Sequence, residues 1–209
     1  MVSSQGSNAN HNGSNFEKEV YGVMFYKIAK NYQMKSVIKD QYGNNIIYCE
    51  LWKNNNLYCI YSSQDAFRKE FLRRYEIFPK KKKKPDGSFY FPDVNHISIL
   101  EIKKQSSPGS VDEKLGLGVF LRDQVYKKIL KSLNCTRDIS YVLDPYFKNE
   151  NNEDYFEFMD ENNIKYNFGK AFPLQMVGLE ETIPTSDEEI KTVIENINKD
   201  YDEPLFDLF

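Results

Sequence analysis

The sequence predicts a protein of mixed α and β structure, on three observations. Two pairs of short runs rich in β-branched and aromatic residues are each joined by a tight polar turn, as in β-hairpins. Segments with apolar residues three and four apart flank them, as amphipathic helices require. After the second pair, the patterns follow a helix–strand–helix–strand order. At 209 residues, the chain suits one domain that buries about 70 % of its unfolded surface.

In chain order, residues 1–14 form a polar head expected to be disordered. A first helix is expected over 15–32, with Phe16, Val20, Val23, Met24 and Ile28 on one face. Ser14-x-x-Glu17 reads as a capping box. Glu17 also lies at the edge of the apolar face, in line with Val20, Met24 and Ile28, whereas Glu19 points away, so a site role stays open beside the capping role. Runs 46–52 and 57–61 form a hairpin turning on 53–56. Ser62 or Ser63 is placed to cap a helix over 64–77, marked by Phe67, Phe71, Leu72 and Tyr75. Five consecutive lysines, Lys80 to Lys84, lead into Pro85-Asp86; such a run is ordinarily a solvated loop. Gly87–Phe91 is rich in strand formers, Pro92, Asp93 and Asn95 supply turn chemistry, and 97–102 is an apolar run that reads as a buried strand. Ser110-x-x-Glu113 opens a helix to about residue 133, interrupted near Gly116 and Gly118. A buried strand at 140–143, a helix at 151–162 and a short strand at 164–168 complete the body. Residues 181–209 form an acidic segment in which Ile190, Val193, Ile194 and Ile197 recur at helical spacing.

Charge is unevenly distributed. Residues 1–15 carry no Lys, Arg, Asp or Glu, and residues 180–209 hold ten acidic and two basic residues. The body, 16–179, is therefore net +5 although the whole chain is net −3, a balance that permits a polyanionic partner. No apolar run approaches the roughly 20 residues of a membrane span, and the first residues contain no signal-like apolar stretch. A soluble, cytoplasmic protein is the expectation. Cys49, Cys59 and Cys135 show no C-x-x-C spacing and read as buried, reduced residues. His11 and His96 are the two histidines, one in the polar head and one at a turn, which argues against zinc or His-dependent hydrolysis.

The chemistry concentrates in the second hairpin. Cross-strand partners in an antiparallel pair have a constant index sum, and a turn centred on Asp93-Val94 sets Asp86 opposite Glu101. Directly opposed side chains have Cβ atoms roughly 5 Å apart. Lys103, two residues on, projects from the same face as Glu101. Gln105 follows on that face, as a phosphate or water contact or as a polar strand end, while Lys104 points away. Asp93 sits in the turn, roughly 25 Å along an extended strand from Glu101, so Asp86 is the carboxylate that can share a cation with it. Two carboxylates and one ammonium at one spot suit Mg²⁺-assisted phosphodiester hydrolysis, with hard oxygen ligands on the metal and a cation beside the attacking water.

Pro85-Asp86 with Glu101-x-Lys103 resembles the signature of the PD-(D/E)xK nuclease superfamily. The stretch EIKKQSSPGSVDEKLGLG (residues 101–118), with its E-x-K-x-Q strand and Gly-Ser-Val-Asp-Glu-Lys-Leu run, is similar to a group of bacterial type II restriction endonucleases within it. ISYVLDPYF (139–147) and FPLQMVGL (172–179) fit the same pattern, so the similarity spans 16–179. One departure is Gly87, where the pattern has an acidic residue. The resemblance implies a restriction-endonuclease-like αβα core, a central mixed β-sheet flanked by helices, over 15–180. It implies Mg²⁺ held by Asp86, Glu101 and the backbone carbonyl of Ile102, with Lys103 orienting the attacking water and Glu17 joining the site from the first helix. It also implies double-stranded DNA as substrate, 5′-phosphate ends, a homodimer on two-fold sites, and a DNA methyltransferase protecting the same sequence. Lys80 to Lys84, beside the expected metal site, would then meet backbone phosphates without reading bases. Two other readings remain open: a structure-guided repair or recombination nuclease on the same fold, and a non-catalytic DNA-binding module. The intact Asp86, Glu101 and Lys103 argue against the last.

Overall fold

A computed structural model of the chain describes residues 16, 20–25, 27–43, 45–105 and 112–168, with side chains in the last segment from residue 114. The polar head and the acidic segment lie outside the described residues. The described fold is α/β, with a seven-stranded mixed sheet in chain order: β1 Gln33–Lys39, β2 Ile46–Lys53, β3 Asn56–Ser62, β4 Gly87–Phe91, β5 His96–Lys103, β6 Thr136–Leu143 and β7 Lys165–Phe168. Strands β1 to β5 run as an antiparallel meander, and β5, β6 and β7 are parallel. Parallel neighbours need crossover connections, here a helical stretch over 112–133 and the helix Glu153–Glu161.

Local chemistry explains the turns. Asn54 and Asn55 both have positive φ, 50° and 62°, the geometry a two-residue hairpin loop requires and one that Asn tolerates. The β4–β5 turn is a short 3₁₀ element, Pro92–Val94, closed by Asn95 at φ 47°. Its register pairs Gly87 with Leu100 and Phe91 with His96, so one step outward Asp86 faces Glu101, as the index sum predicts.

Strand alternation divides the core into two layers. On one face, Val20, Met24, Phe25 and Ile28 of the first helix (20–25 and 27–31) pack against Leu51, Tyr61, Phe89, Leu100, Ile102 and Val142. On the other, Phe67, Phe71, Tyr126, Ile129 and Met159 pack against Ile60, Ile97, Ile99, Ile139 and Tyr141. Odd positions of β5 thus face the second layer and even positions the first, and this alternation carries Glu101 towards Tyr126. The three cysteines are buried with free thiols. No helix among the described residues is long and apolar enough to cross a membrane.

Several expectations change. Strand β1 has no counterpart in the sequence reading. It is an edge strand in which Met34 alone is fully buried, with a bulge around Ser36 (φ 52°) that breaks the two-residue period. Neither Ser62 nor Ser63 caps the next helix through its side chain. Ser63 occupies the N-cap position without a side-chain capping bond, and the Ser62 hydroxyl pairs with Ser88 at 2.8 Å. That helix opens at Gln64–Ala66 and continues through a π-helical Phe67–Leu72. Over 112–133 the chain passes through 3₁₀ (Asp112–Leu117), α (Gly118–Phe120), π (Leu121–Tyr126), α (Lys127–Ile129) and 3₁₀ (Lys131–Leu133) winding. At Gly118 the backbone presses on the sheet: a Cβ there would lie 2.7 Å from Ile164 Cδ1 and 3.2 Å from the Tyr141 ring. Strand β6 begins four residues before the expected 140–143, and β7 (Lys165–Phe168) and the helix Glu153–Glu161 match the remaining two expectations closely.

Candidate active site

Asp86 precedes β4 and is held at both ends. Its backbone carbonyl accepts from the Tyr21 hydroxyl of the first helix at 2.6 Å. Its Oδ2 accepts from the Ile102 amide at 2.8 Å, so the side chain reaches across to β5. Pro85, which has no N–H to satisfy, offers its carbonyl to the Gln64 amide at 2.9 Å. The segment between the lysine run and the hairpin is thereby tied to two helices.

Lys103 Nζ gathers the rest. It donates to Asp86 Oδ2 at 3.1 Å, Glu101 Oε2 at 2.9 Å and the Ile102 carbonyl at 3.2 Å. The three ammonium donors thus meet three oxygens from three residues. Glu101 is 2 % exposed, and its other oxygen, Oε1, accepts from the Tyr126 hydroxyl at 3.3 Å. Tyr141 lies beside Glu101 in the β5–β6 register, with its hydroxyl buried and lacking a hydrogen-bond partner among the described residues. The centre is therefore two carboxylates, a peptide carbonyl and one cation, with two tyrosines behind Glu101.

Burial pushes the Glu101 carboxyl up from its ordinary value; Lys103 opposes that rise and Asp86 adds to it. Burial alone would pull the Lys103 ammonium down, but Glu101 and Asp86 outweigh it and hold Lys103 above its ordinary value. Tyr126 is pushed up by burial and then by Glu101 and Asp86, so its hydroxyl keeps its proton and acts as a donor. Lys83 lies close enough to draw the Glu101 carboxyl down.

The structure brings Asp86, Glu101, Lys103 and the Ile102 carbonyl together and leaves Asp93 apart. Asp93 is exposed in the Pro92–Val94 turn, at the far end of β4 from Asp86. Lys104 points away and sits 5.8 Å from the centre of the Phe16 ring. Gln105 is 8 % exposed just beyond β5. Glu17 lies outside the described residues, as do Ser110 and Val111 of the Gly-Ser-Val-Asp-Glu-Lys-Leu run. Leu115 of that run is fully buried in the second core layer. Sequence reasoning missed Tyr126 and Tyr141. Each reads as an ordinary aromatic core position, and only the register that sets Tyr141 beside Glu101 distinguishes it.

Compared with protein-family models, curated proteins and solved structures, the chain matches none.

Proposed function

We propose that this chain is a Mg²⁺-dependent endonuclease of the PD-(D/E)xK type that cuts double-stranded DNA, acting in the cytoplasm as a type II site-specific restriction enzyme. The observation that carries this reading is the convergence of Asp86, Glu101 and the Ile102 carbonyl on one cationic nitrogen, Lys103 Nζ, at the end of a buried strand. The donor set fits the metal: all three ligand atoms are oxygens, which hard cations take, and they already surround a positive charge. Asp86, Glu101 and the Ile102 carbonyl would hold it. Bound there, Mg²⁺ supplies a Lewis acid that makes a water nucleophilic near neutral pH.

The protein's own groups do the rest. The Ile102 amide fixes Asp86 Oδ2, and Tyr126 fixes Glu101 Oε1, so both carboxylates are oriented before substrate arrives. Lys103 holds its proton at Nζ and donates to the attacking water and to the phosphate oxygen that gains charge. The Lys-rich segment ahead of Asp86 faces the DNA backbone. The products carry 5′-phosphate and 3′-hydroxyl ends, a homodimer serves a two-fold site, and a methyltransferase of matching specificity protects the host.

The test is incubation of the purified chain with phage DNA and Mg²⁺, followed by sequencing of the ends. Discrete fragments with one common end sequence are expected, with Mn²⁺ substituting for Mg²⁺ and Ca²⁺ supporting binding without cutting. Cutting only at branched or gapped DNA would move the reading to a structure-guided nuclease. Full activity in excess EDTA would rule out the metal chemistry.

A further inference from the structure

The five-lysine run acquires a partner surface in the fold. Ile77, Phe78 and Pro79, just ahead of it, form one wall of an open groove of ≈ 390 Å³, and Lys128, Ile129 and Lys131 form the other. Ile77 and Ile129 are buried and make an apolar floor, while Phe78 is 79 % exposed at the rim. Lys80 to Lys83, Lys128 and Lys131 are all exposed, and no salt bridge among the described residues engages them. Lys84, by contrast, pairs with Asp65 at 2.5 Å. Among the described residues that line the groove, none is acidic. Cations therefore run from the groove along the lysine segment to Lys83, three residues ahead of Asp86.

We propose that this groove is a nucleic-acid backbone site that holds the DNA flanking the cut, with Lys128, Lys131 and Lys80 to Lys83 on phosphates and Phe78 against a deoxyribose between them. The inference rests on the nuclease reading for the identity of its partner. Charge complementarity selects a polyanion. The regular alternation of phosphate and sugar along a strand matches a rim in which an apolar ring stands among ammonium groups, whereas a run of glutamates offers the ring no regularly spaced partner. Lysines there position the duplex without reading sequence. Pro79 and Asp86 are seven residues apart, a separation of at most ~23 Å for extended chain. At 3.4 Å per base pair, the groove contacts DNA within about seven base pairs of the scissile phosphate.

The test is fluorescence anisotropy of the full chain with duplex DNA about three helical turns long, in EDTA so that nothing is cut, across a salt series. Each phosphate contact contributes about 0.9 to the slope of log affinity against log salt. Lys128→Ala/Lys131→Ala should lower that slope by about two while the melting curve stays that of the parent. Phe78→Ser should weaken binding several-fold and leave the slope unchanged. Trimming the flanks below about seven base pairs should weaken the parent chain and leave the double variant little affected. An unchanged slope in the double variant, or poly-glutamate binding as tightly as DNA, overturns the proposal. The nuclease reading fails separately: a parent chain that cuts nothing in Mg²⁺ but shows the lysine-dependent slope loses that reading and keeps the groove. A parent chain that cuts while the slope does not move loses the groove alone.

Discussion

Replacing Lys103 with methionine tests the electrostatic core of the site without emptying it. Methionine keeps most of the apolar stem and removes the charge. In the parent chain the ammonium contacts two carboxylates at 2.9 and 3.1 Å, with the Lys103, Glu101 and Asp86 side chains 18 %, 3 % and 23 % exposed. Removing one partner of a buried ion pair costs about 3–5 kcal/mol. Because Asp86 keeps some solvent, the lower end, about 3 kcal/mol, is expected near pH 8. Glu101 already lies above its ordinary value through burial, and without Lys103 it rises further. In the window between its unfolded and folded values the native state then binds more protons than the unfolded chain. Stability there falls as pH rises and recovers on acidification. Urea denaturation of Lys103→Met should show the full loss at alkaline pH and a much smaller one near pH 5. Added Ca²⁺ should raise the variant's midpoint more than the parent's, because a cation re-enters the oxygen cage. A loss below about 1 kcal/mol, unchanged between the two pH values, would show that Lys103 does not hold the carboxylates together.

The remaining predictions concern the same centre and its support. Asp86→Ala and Glu101→Ala should each reduce cleavage by about 10²-fold or more while DNA binding persists, and Asp93→Ala should cut normally; filter binding and gel assays on one preparation check both. Tyr126→Phe keeps the ring and deletes one donor to Glu101. At 3.3 Å that bond is long for a hydroxyl, so about 1.4 kcal/mol, a tenfold weakening of Ca²⁺ binding by calorimetry, is expected; an affinity within about twofold of the parent would remove the positioning role. Gly118→Ala should destabilise by about 1 kcal/mol in thermal melts, the low end for overpacking, because the new methyl displaces only the tip of the Ile164 side chain at 2.7 Å and crowds the Tyr141 ring at 3.2 Å.

What was legible in the sequence follows from which interactions are local. The hairpin register was readable because turn chemistry at Pro92 to Asn95 sets the index sum, and every later pairing follows from it. The first helix announces itself by apolar spacing. Strand β1 did not, because an edge strand with Met34 alone fully buried carries almost no period, and its bulge at Ser36 breaks what remains. The winding over 112–133 was equally hidden. Gly118 comes close to the Tyr141 and Ile164 side chains, and such contacts with residues distant in sequence carry no local signal.

The same division applies to the site, and it explains why two of its groups escaped notice. Asp86, Glu101 and Lys103 lie within eighteen residues of one another on a single hairpin, so strand geometry alone brings them together. Tyr126 comes from the crossover after β5 and Tyr141 from β6, and neither is a neighbour until the parallel register Glu101 to Tyr141 forms. The crossover that makes β6 parallel to β5 also lays Tyr126 over the buried end of Glu101. The hairpin supplies the charges and the parallel half supplies the low-dielectric wall that makes those charges strong. A hairpin excised from this fold would keep the residues and lose the burial that raises Glu101. The chemistry of the site therefore belongs to the junction between the antiparallel and parallel halves of the sheet, and substitutions at Tyr126 or Gly118 should reach it without touching a carboxylate.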